Sequence, residues 1–358
     1  MSISTFNNTK NKSDSIWIDL KNNPKNYRAV TGDRPTGPLH IGHYFGTLKN
    51  RVFLQNLNIE NYIVIADYQV LTDRNSNQET LNYIKEIILD YLAAGLDPIN
   101  KKTVIFTHSS VPELNQLLLP FLSLVKMSEL ERNPTVKDEI KAANLNAINA
   151  AMMVYPVHQA ADILFCNGNL VPVGRDQLPH LELSRKIAKR FNERYGTIFF
   201  EPNALLSEFP VILGLDGKQK MSKSRKNAIS LNLTSDETAN LIRKAKTDNE
   251  CVITYDPCGR PEIANLLHLL TMCTGESSEK IADRIGDRGS WYLKTNLIDG
   301  LNSYLEPFRK KRIELSKDTG FLFKILENGN EKARCLASET LKRVREKMKM
   351  LYLEHGNK

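Results

Sequence analysis

The sequence has no long apolar run. None of its 358 residues lies in a stretch that approaches the ~18 apolar positions of a membrane-spanning helix, so we expect no transmembrane segment. Residues 1–26 are rich in Asn, Ser and Lys and lack the apolar core of a signal peptide. Asp14 and Asp19 also argue against an organellar transit sequence. We therefore predict a cytoplasmic protein whose residues 1–26 form a polar, mostly disordered extension.

Cysteine is scarce and its spacing is irregular. The five cysteines are Cys166, Cys251, Cys258, Cys273 and Cys335. An odd, scattered set argues against a disulfide framework and for a reducing compartment. Cys251, Cys258 and Cys273 lack the close Cys-x-x-Cys pair that structural metal sites use. We therefore expect no metal ion held by protein ligands.

Neither sign of charge is scarce, and the excess of positive charge is small. Apolar residues make up 41% of the chain and charged residues 25%, which is ordinary for a soluble globular protein. The length leaves room for two domains with a large core. The net charge of +8 and the pI near 9.1 favour an anionic partner only weakly, because basic proteins are common without nucleic acid.

A short Gly/Pro-rich turn at residues 35–43 separates a predicted strand at 27–31 from a predicted helix at 44–57. Its sequence is Pro-Thr-Gly-Pro-Leu-His-Ile-Gly-His. A strand, a tight turn and a helix start form the phosphate-binding geometry of α/β sheets, because the N–H groups at the helix start favour negative charge. The sequence therefore predicts a phosphate site at this turn.

Two histidines lie three positions apart at this helix start. His40 and His43 face the same side and can each donate an N–H to phosphate oxygens without being protonated. Gly42 lies between them, where a Cβ would keep a flat base or ribose away. The alternative interpretation is a plain β–α turn with two surface histidines.

A polar loop far down the chain carries the sequence Lys220-Met221-Ser222-Lys223-Ser224. Two lysines and two hydroxyls are suited to gripping a triphosphate, because a lysine is a compact charge that can follow a leaving pyrophosphate. The alternative is a solvated surface loop, which is the commoner origin of lysine-rich segments.

Apolar runs typical of buried strands alternate with amphipathic stretches. We predict strands at 62–66, 103–106 and 170–173, and helices at 80–94, 112–125, 140–153 and 178–192. We therefore predict an α/β fold, with a Rossmann-like parallel-sheet catalytic domain at 27–230. Asp67, Gln69 and His108 follow predicted strand ends and are interpreted as loop or capping residues.

The region from 231 to 358 has helical patterns throughout and predicts an all-helical C-terminal domain. Thr234 and Glu237 form a capping-box pattern that opens a helix. Residues 331–358 hold eight Lys or Arg and four Asp or Glu, a net charge of +4. A basic helical tail suits an RNA backbone, although a solvated terminal helix gives the same pattern.

Three polar side chains share one face of an apolar helical stretch. Tyr155, Gln159 and Asp162 are spaced i, i+4 and i+7, and the small Ala160 and Ala161 leave room beside them. A carboxylate on an apolar helix requires a partner, because burying an unpaired charge is costly. Asp162 is therefore a candidate ligand-binding residue, and the alternative is a capping or ion-paired carboxylate.

Several of these stretches occur together in the order found in one enzyme family. The turn at 31–37, the His-Ile-Gly-His and Lys-Met-Ser-Lys-Ser motifs, and the segments 155–164, 170–177 and 179–183 resemble those of tryptophanyl-tRNA synthetase. This family belongs to the class I aminoacyl-tRNA synthetases, and the similarity runs from about residue 27 to the C-terminus. It implies ATP-dependent activation of L-tryptophan, transfer to tRNA(Trp), Mg²⁺ bound with the ATP phosphates, and a homodimer.

The resemblance also implies roles for individual residues. The catalytic residues are His40, His43, Lys220 and Lys223. ATP binding is assigned to Arg34, Pro35, Thr36, Gly42, His43, Gly174, Arg175, Asp176, Val211, Lys220, Met221, Ser222, Lys223 and Ser224. Tryptophan binding is assigned to Tyr155, Gln159, Asp162 and Gln177, with Asp162 accepting the indole N–H. The C-terminal domain would bind the tRNA anticodon.

Two departures from the family pattern keep alternatives open. Arg175 stands where the family often has an acidic residue, and Gln159 stands where several tryptophan enzymes have Met. The face formed by Tyr155, Gln159 and Asp162 also resembles that of tyrosyl-tRNA synthetase. A small-molecule nucleotidylyltransferase shares the first motif but lacks the lysine loop in this form. A non-catalytic tRNA-binding paralogue is a further alternative, against which the intact motif residues argue.

Overall fold

The computed structural model describes residues 3–72, 78–143, 148–206, 212–222 and 225–352. Within them the chain forms a parallel sheet in the order β3-β2-β1-β4-β5. Its strands are β1 (Arg28–Asp33), β2 (Glu60–Ile65), β3 (Thr103–Thr107), β4 (Leu170–Val173) and β5 (Asn203–Leu206). The register of β1 on β2 runs from Arg28 opposite Glu60 to Asp33 opposite Ile65. The predicted Rossmann-like parallel sheet is confirmed, although β5 was not predicted.

Helices cover both faces of the sheet, which is why its central strands are apolar runs. The helices of this half are α1 (Ile3–Asn22), α2 (Ile41–His43), α3 (Lys49–Asn56), α4 (Thr80–Ala93), α5 (Glu113–Leu122), α6 (Met127–Glu131), α7 (Pro134–Ala143), α8 (Ala150–Leu164) and α9 (Leu178–Tyr195). A π-helical turn, Tyr44–Leu48, joins α2 to α3. The predicted helix at 140–153 is wrong, because α7 ends at Ala143 and α8 begins at Ala150.

The rest of the described chain is helical, as predicted for the C-terminal domain. It consists of α10 (Ser235–Arg243), α11 (Pro261–Thr274), α12 (Ser278–Ile285), α13 (Gly289–Leu315) and α14 (Thr319–Lys347). Thr234 and Glu237 form the predicted capping box of α10. The last helix, α14, ends at Lys347 and is followed by a turn.

The N-terminal segment is a helix, not the disordered extension that its composition predicted. Ile16 and Leu20 of α1 are buried in a cluster with Leu170 and Leu205 of the sheet. Ser13 is also fully buried. The polar composition obscured a short apolar stripe, and burial of that stripe against the sheet stabilises the helix.

Helices from the two ends of the chain cover the two edges of the sheet. On β5, the Leu206 N–H donates to Ser13 Oγ at 2.9 Å. On β3, the Thr107 N–H donates to Asn330 Oδ1 of α14 at 2.9 Å. An uncovered edge strand exposes backbone groups to pairing with another chain, so these contacts protect both edges.

An ion pair links the C-terminal helices to the turn at residues 35–43. Arg312 Nε of α13 donates to Asp90 Oδ1 of α4 at 2.8 Å. Asp90 Oδ2 accepts the backbone N–H of Leu39 at 3.2 Å. Burial raises the pKa of Asp90 to about 6, against the opposing charge of Arg312. The helical domain therefore contributes directly to the conformation of the turn before His40.

Candidate active site

The two motif segments lie against each other. The Ile41 N–H donates to the carbonyl of Ile229 at 2.9 Å, and the Leu231 N–H donates to that of Leu39 at 2.8 Å. A Cβ placed on Gly42 would lie 3.6 Å from Cβ of Met221. The turn at the end of β1 and the lysine loop therefore form one surface, as the phosphate-site prediction requires.

His40 and His43 stack at this surface. Their ring centroids are 3.7 Å apart with an interplanar angle of 43°. The Gly42 N–H donates to His40 Nδ1 at 3.1 Å, and the His40 N–H donates to His43 Nδ1 at 3.2 Å. Because both Nδ1 atoms accept, each neutral ring carries its proton on Nε2. The backbone thus fixes the tautomer of both rings, and both present an Nε2–H donor.

Gly42 also allows the His40 ring to lie close to the backbone of the turn. A Cβ at this position would lie 2.9 Å from two ring atoms of His40. A side chain would therefore push the His40 ring away and break its hydrogen bond to the Gly42 N–H.

A buried ion pair holds the end of β1, directly before the turn at residues 35–43. Arg51 Nη1 donates to Asp33 Oδ2 at 2.6 Å, and the hydroxyl of Tyr91 donates to the same oxygen at 2.6 Å. Burial would raise the pKa of Asp33, but the charges of Arg51 and His43, together with the hydrogen bonds from Arg51 and Tyr91, outweigh it and lower that pKa. Arg34, the next residue, donates from Nη2 to the carbonyl of Gln69 at 3.0 Å. The Thr36 N–H donates to the carbonyl of Arg34 at 2.8 Å.

The lysine loop contacts the turn that follows β4. Lys220 Nζ donates to Asp176 Oδ1 at 2.9 Å, and Gln177 Nε2 donates to Asp176 Oδ2 at 3.1 Å. Desolvation would raise the pKa of Asp176, but the charge of Lys220, together with hydrogen bonds from Lys220 and Gln177, outweighs it and lowers that pKa. Gly174 precedes this turn in extended conformation.

The side chain of Asn227 forms hydrogen bonds that hold the lysine loop in its conformation. Its side chain accepts the Ser222 N–H at 2.8 Å and donates to Asp216 Oδ2 at 3.1 Å. Met221 is buried beside the first turn. Three predicted site residues, Val211, Lys223 and Ser224, lie outside the described residues.

The predicted amino-acid face lies on α8. Asp162 is buried, and its Oδ2 lies 2.9 Å from Nε2 of the fully buried His108. Its Oδ1 is also buried and makes no hydrogen bond within the described part of the chain. The ring of His158 is 4.5 Å from that of His108 in an edge-on arrangement. Asp162 is thus ion-paired through one oxygen and has a second acceptor oxygen for a ligand.

Tyr155 lies at the other end of this face. Its hydroxyl is 3.0 Å from Nε2 of His180, whose Nδ1 lies 3.2 Å from the side-chain nitrogen of Asn133. Burial raises the pKa of Tyr155, and the neighbouring Glu139 adds to that shift. Gln159 is half-buried on the same helix. A neutral phenol between these groups can orient a ligand by hydrogen bonding.

The model of the tRNA synthetases class I (W and Y) matches residues 21–303. The chain belongs to this family. The match includes both motif segments and the Tyr155–Asp162 face of α8. The first motif segment follows the carboxyl end of β1, and the lysine loop contacts the turn that follows β4.

Relatives within the family include tryptophan–tRNA ligases. The chain is 44% identical over 335 residues to that of Clostridium longisporum, covering 91% of this chain and 98% of the relative. It is 40% identical over 336 residues to that of Streptococcus pyogenes serotype M1, covering 90% and 98%. The crystal structure of the Campylobacter jejuni tryptophanyl-tRNA synthetase complexed with ADP and tryptophan has a TM-score of 0.77 at 32% identity. It covers 90% of this chain and 99% of that one.

Three histidines beside the predicted amino-acid face were not predicted to belong to it. His108 was interpreted as a loop or capping residue, and His158 and His180 were not singled out. A signal was present, because His158 lies four residues before Asp162 and therefore shares its helix face. His108, His158 and Asp162 also form a group of possible metal ligands, all within 4.8 Å of one another. Cys251 and Cys258 are exposed, separate from this group.

Among the described helices of the synthetase, none combines the length and apolarity needed to span a membrane.

Proposed function

We propose that the chain is a tryptophan–tRNA ligase. It activates L-tryptophan with ATP to form tryptophanyl-adenylate and diphosphate, and it then transfers tryptophan to the terminal ribose of tRNA(Trp). The observation that carries the proposal is the juxtaposition of Gly42 and Met221, which joins the two family motifs into one surface. The identity of 40–44% to relatives named tryptophan–tRNA ligase supports the choice of amino acid.

The nucleotide half of the site comprises the motif segments and the turn after β4. His40 and His43 would donate their Nε2–H groups to phosphate oxygens at the start of α2. Asp176, next to Gly174, would accept from the ribose hydroxyls. The remaining proposed ATP-binding residues are Arg34, Pro35, Thr36, Arg175, Val211, Met221, Ser222 and Ser224. The ADP named in the Campylobacter jejuni structure supports the use of an adenine nucleotide.

Lys220 would stabilise the negative charge that develops on the leaving diphosphate, together with Lys223. Its present partner, the Asp176 carboxylate, is half-exposed, so the pair can open at little cost and release the ammonium group. Lysine suits this task because its compact charge moves on a flexible stem. We therefore assign Lys220 a contact that strengthens as the transition state forms.

The tryptophan half lies along α8. Asp162 Oδ1, the buried oxygen that makes no hydrogen bond within the described residues, would accept the indole N–H. Tyr155, Gln159 and Gln177 would orient the amino acid from the neighbouring positions. His108 holds the other carboxylate oxygen and thereby fixes the direction of the acceptor.

The chemistry requires no nucleophilic side chain. An oxygen of the tryptophan carboxylate bonds to the α-phosphorus while the bond to the bridging oxygen breaks and diphosphate leaves. A ribose hydroxyl of tRNA then attacks the activated carbonyl and AMP leaves. The protein contributes positioning and charge stabilisation, which account for most of catalysis in phosphoryl transfer.

The described residues of the nucleotide half do not form a protein-ligated magnesium site. Mg²⁺ prefers carboxylate and water oxygens, whereas His40, His43 and Lys220 supply nitrogen donors. The nearby Asp176 carboxylate is paired with Lys220. We therefore propose that Mg²⁺ arrives with the ATP phosphates, as part of the substrate.

The partners follow from the same proposal. The helical domain, including the basic residues 331–358, would contact the tRNA phosphates, and the protein would act as a homodimer. The five cysteines are all free, which supports a reducing compartment such as the cytoplasm.

ATP–pyrophosphate exchange with tryptophan and tyrosine in parallel, without tRNA, tests the proposal. Exchange with tryptophan alone is expected, followed by charging of tRNA(Trp). Exchange with tyrosine alone would mean that the face of Tyr155, Gln159 and Asp162 specifies tyrosine. No exchange with either amino acid would contradict an enzymatic role and favour the tRNA-binding paralogue.

A further inference from the structure

The helix α1 lies almost entirely before the family match, which begins at residue 21. It is nevertheless firmly joined to the catalytic sheet. The Leu206 N–H donates to Ser13 Oγ, and Trp17 Nε1 donates to the Leu206 carbonyl, both at 2.9 Å. Both backbone groups of the last residue of β5 are thus held by one helix. Because Ile16 and Leu20 are buried as well, the second half of α1 is fixed on the sheet.

The first turns of α1 reach the nucleotide half of the site. Cζ of Arg175 lies over the ring of Phe6, 4.5 Å from its centroid. Arg175 opens the turn after β4 and directly precedes Asp176. An aromatic face attracts a guanidinium group, so Phe6 favours one orientation of this side chain among many.

The orientation matters because of what Asp176 already binds. Its two carboxylate oxygens accept from Lys220 and from Gln177. A guanidinium forms bidentate pairs with carboxylates that are stronger than those of an ammonium group. An Arg175 side chain released from Phe6 can therefore reach an adjacent carboxylate and compete with Lys220 and with a ribose hydroxyl.

We propose that α1 is part of the nucleotide site and that Phe6 is a positioning residue, which holds the Arg175 guanidinium away from Asp176. The inference rests on the proposed function in one respect, the binding of ATP beside Asp176. It gives the N-terminal helix a role in ATP affinity, and it explains how an arginine is accommodated next to the carboxylate that the ribose requires.

Two substitutions at Phe6 distinguish the contribution of its aromatic face from that of its side-chain volume. Phe6→Leu keeps an apolar, helix-compatible side chain and removes the aromatic face, whereas Phe6→Tyr keeps the face. We expect Phe6→Leu to raise the KM for ATP about two- to fivefold, the size of one exposed cation–π contact. The KM for tryptophan and kcat should stay at wild-type values, and Phe6→Tyr should match the wild type.

A double-mutant cycle with Arg175→Gln identifies the route of the effect. If Phe6 acts through Arg175, Phe6→Leu should cause no further change in an Arg175→Gln background. An equal effect of Phe6→Leu in both backgrounds would overturn the inference, as would an unchanged KM for ATP. Ile18→Ala is the matched control, because Ile18 is an exposed residue of the same helix and should leave the KM for ATP unaltered.

Calorimetric titration of each variant with ATP, without amino acid, gives a readout that does not need turnover. A wild type that binds ATP but exchanges with no amino acid would contradict the proposed function and still test the role of Phe6. Equal ATP affinity of the wild type and Phe6→Leu would refute the role of Phe6 and leave the proposed function standing. Melting temperatures of all variants exclude a loss of folding as the cause.

Discussion

Nε2 of His108 lies 2.9 Å from Oδ2 of Asp162, and both side chains are buried. His108 follows β3, whereas Asp162 lies on α8, so the pair joins a strand end to the helix that carries the amino-acid face. Burial would lower the pKa of His108, but the charge and hydrogen bond of Asp162, together with the charge of Asp67, outweigh it and raise that pKa. One carboxylate oxygen is therefore held by His108, and the other keeps a fixed direction.

Replacing His108 tests whether this pair sets the tryptophan acceptor. His108→Leu should weaken tryptophan binding about tenfold, since Asp162 would then be a buried carboxylate without its partner. His108→Gln should stay within about threefold of the wild type, because an amide N–H can still donate to Oδ2. Calorimetric titration with tryptophan measures both. An equal loss of tryptophan affinity in the two variants would show that position 108 contributes side-chain volume, not a hydrogen-bond donor.

The His108–Asp162 pair also predicts the direction in which stability changes with pH. Because the pKa of His108 is raised in the folded protein, the ion pair contributes fully below about pH 6.5, the unfolded value, and its contribution is lost as pH rises through the folded value. The difference in unfolding free energy between wild type and His108→Gln should therefore shrink as the pH rises above about 6.5. Urea unfolding between neutral and alkaline pH measures it, and a growing difference would contradict the ion pair.

Lys220→Ala should lower kcat for pyrophosphate exchange by about a hundredfold or more while changing the KM for tryptophan little, because the proposed contact strengthens in the transition state. Lys218→Ala is the matched control, since Lys218 is an exposed lysine of the same loop and should exchange at the wild-type rate. Steady-state exchange kinetics measure both variants. A Lys220→Ala variant with wild-type kcat and only a raised KM would exclude a transition-state role.

His180 should make the protein sensitive to acid. Burial lowers the pKa of His180 to about 4, although Asp176 opposes the shift. A lowered histidine pKa stabilises the fold fully above about pH 6.5, and this contribution is lost as the pH falls to about 4. The whole loss is about 3 kcal/mol at 1.36 kcal/mol per pH unit. Urea unfolding at neutral and acid pH should show a larger decrease in unfolding free energy for the wild type than for His180→Gln.

The half-buried His268 of the helical domain provides the control for this experiment. His268→Gln should change the acid sensitivity less than His180→Gln, because a half-buried ring is less strongly desolvated. Equal acid sensitivity of the wild type and His180→Gln would show that protonation of other groups dominates.

Local patterns were sufficient to predict four of the five strands of the sheet. That the two motif segments belong to one site was implied by the family resemblance, not by local patterns. Strand–helix alternation placed His40 at a strand end, and the polar residues of α8 marked Asp162. Contacts between side chains that are distant in sequence could not be predicted in this way. The contact of His108 with Asp162 and that of Phe6 with Arg175 depend on how elements distant in sequence pack. Composition also misled for residues 1–26, because a narrow apolar stripe suffices for a helix that has a sheet edge to cover.

Gly329 of α14 should not tolerate a methyl group. A Cβ at this position would lie 1.8 Å from the carbonyl oxygen of Ile105 in β3, so the helix must move off the sheet edge. Gly329→Ala should therefore lower the unfolding free energy by about 3 kcal/mol, the upper part of the range for overpacking, since the obstacle is backbone.

Gly320, near the start of the same helix, is the matched control. A Cβ at this position would have Oδ1 of Asp318 as its nearest neighbour, at 3.4 Å. Gly320→Ala should leave stability unchanged or raise it by up to about 1 kcal/mol, because alanine is the better helix former. Urea unfolding monitored by circular dichroism measures both variants. If Gly329→Ala were as stable as Gly320→Ala, α14 could not pack this closely on β3, and the covering of that sheet edge by α14 would be wrong.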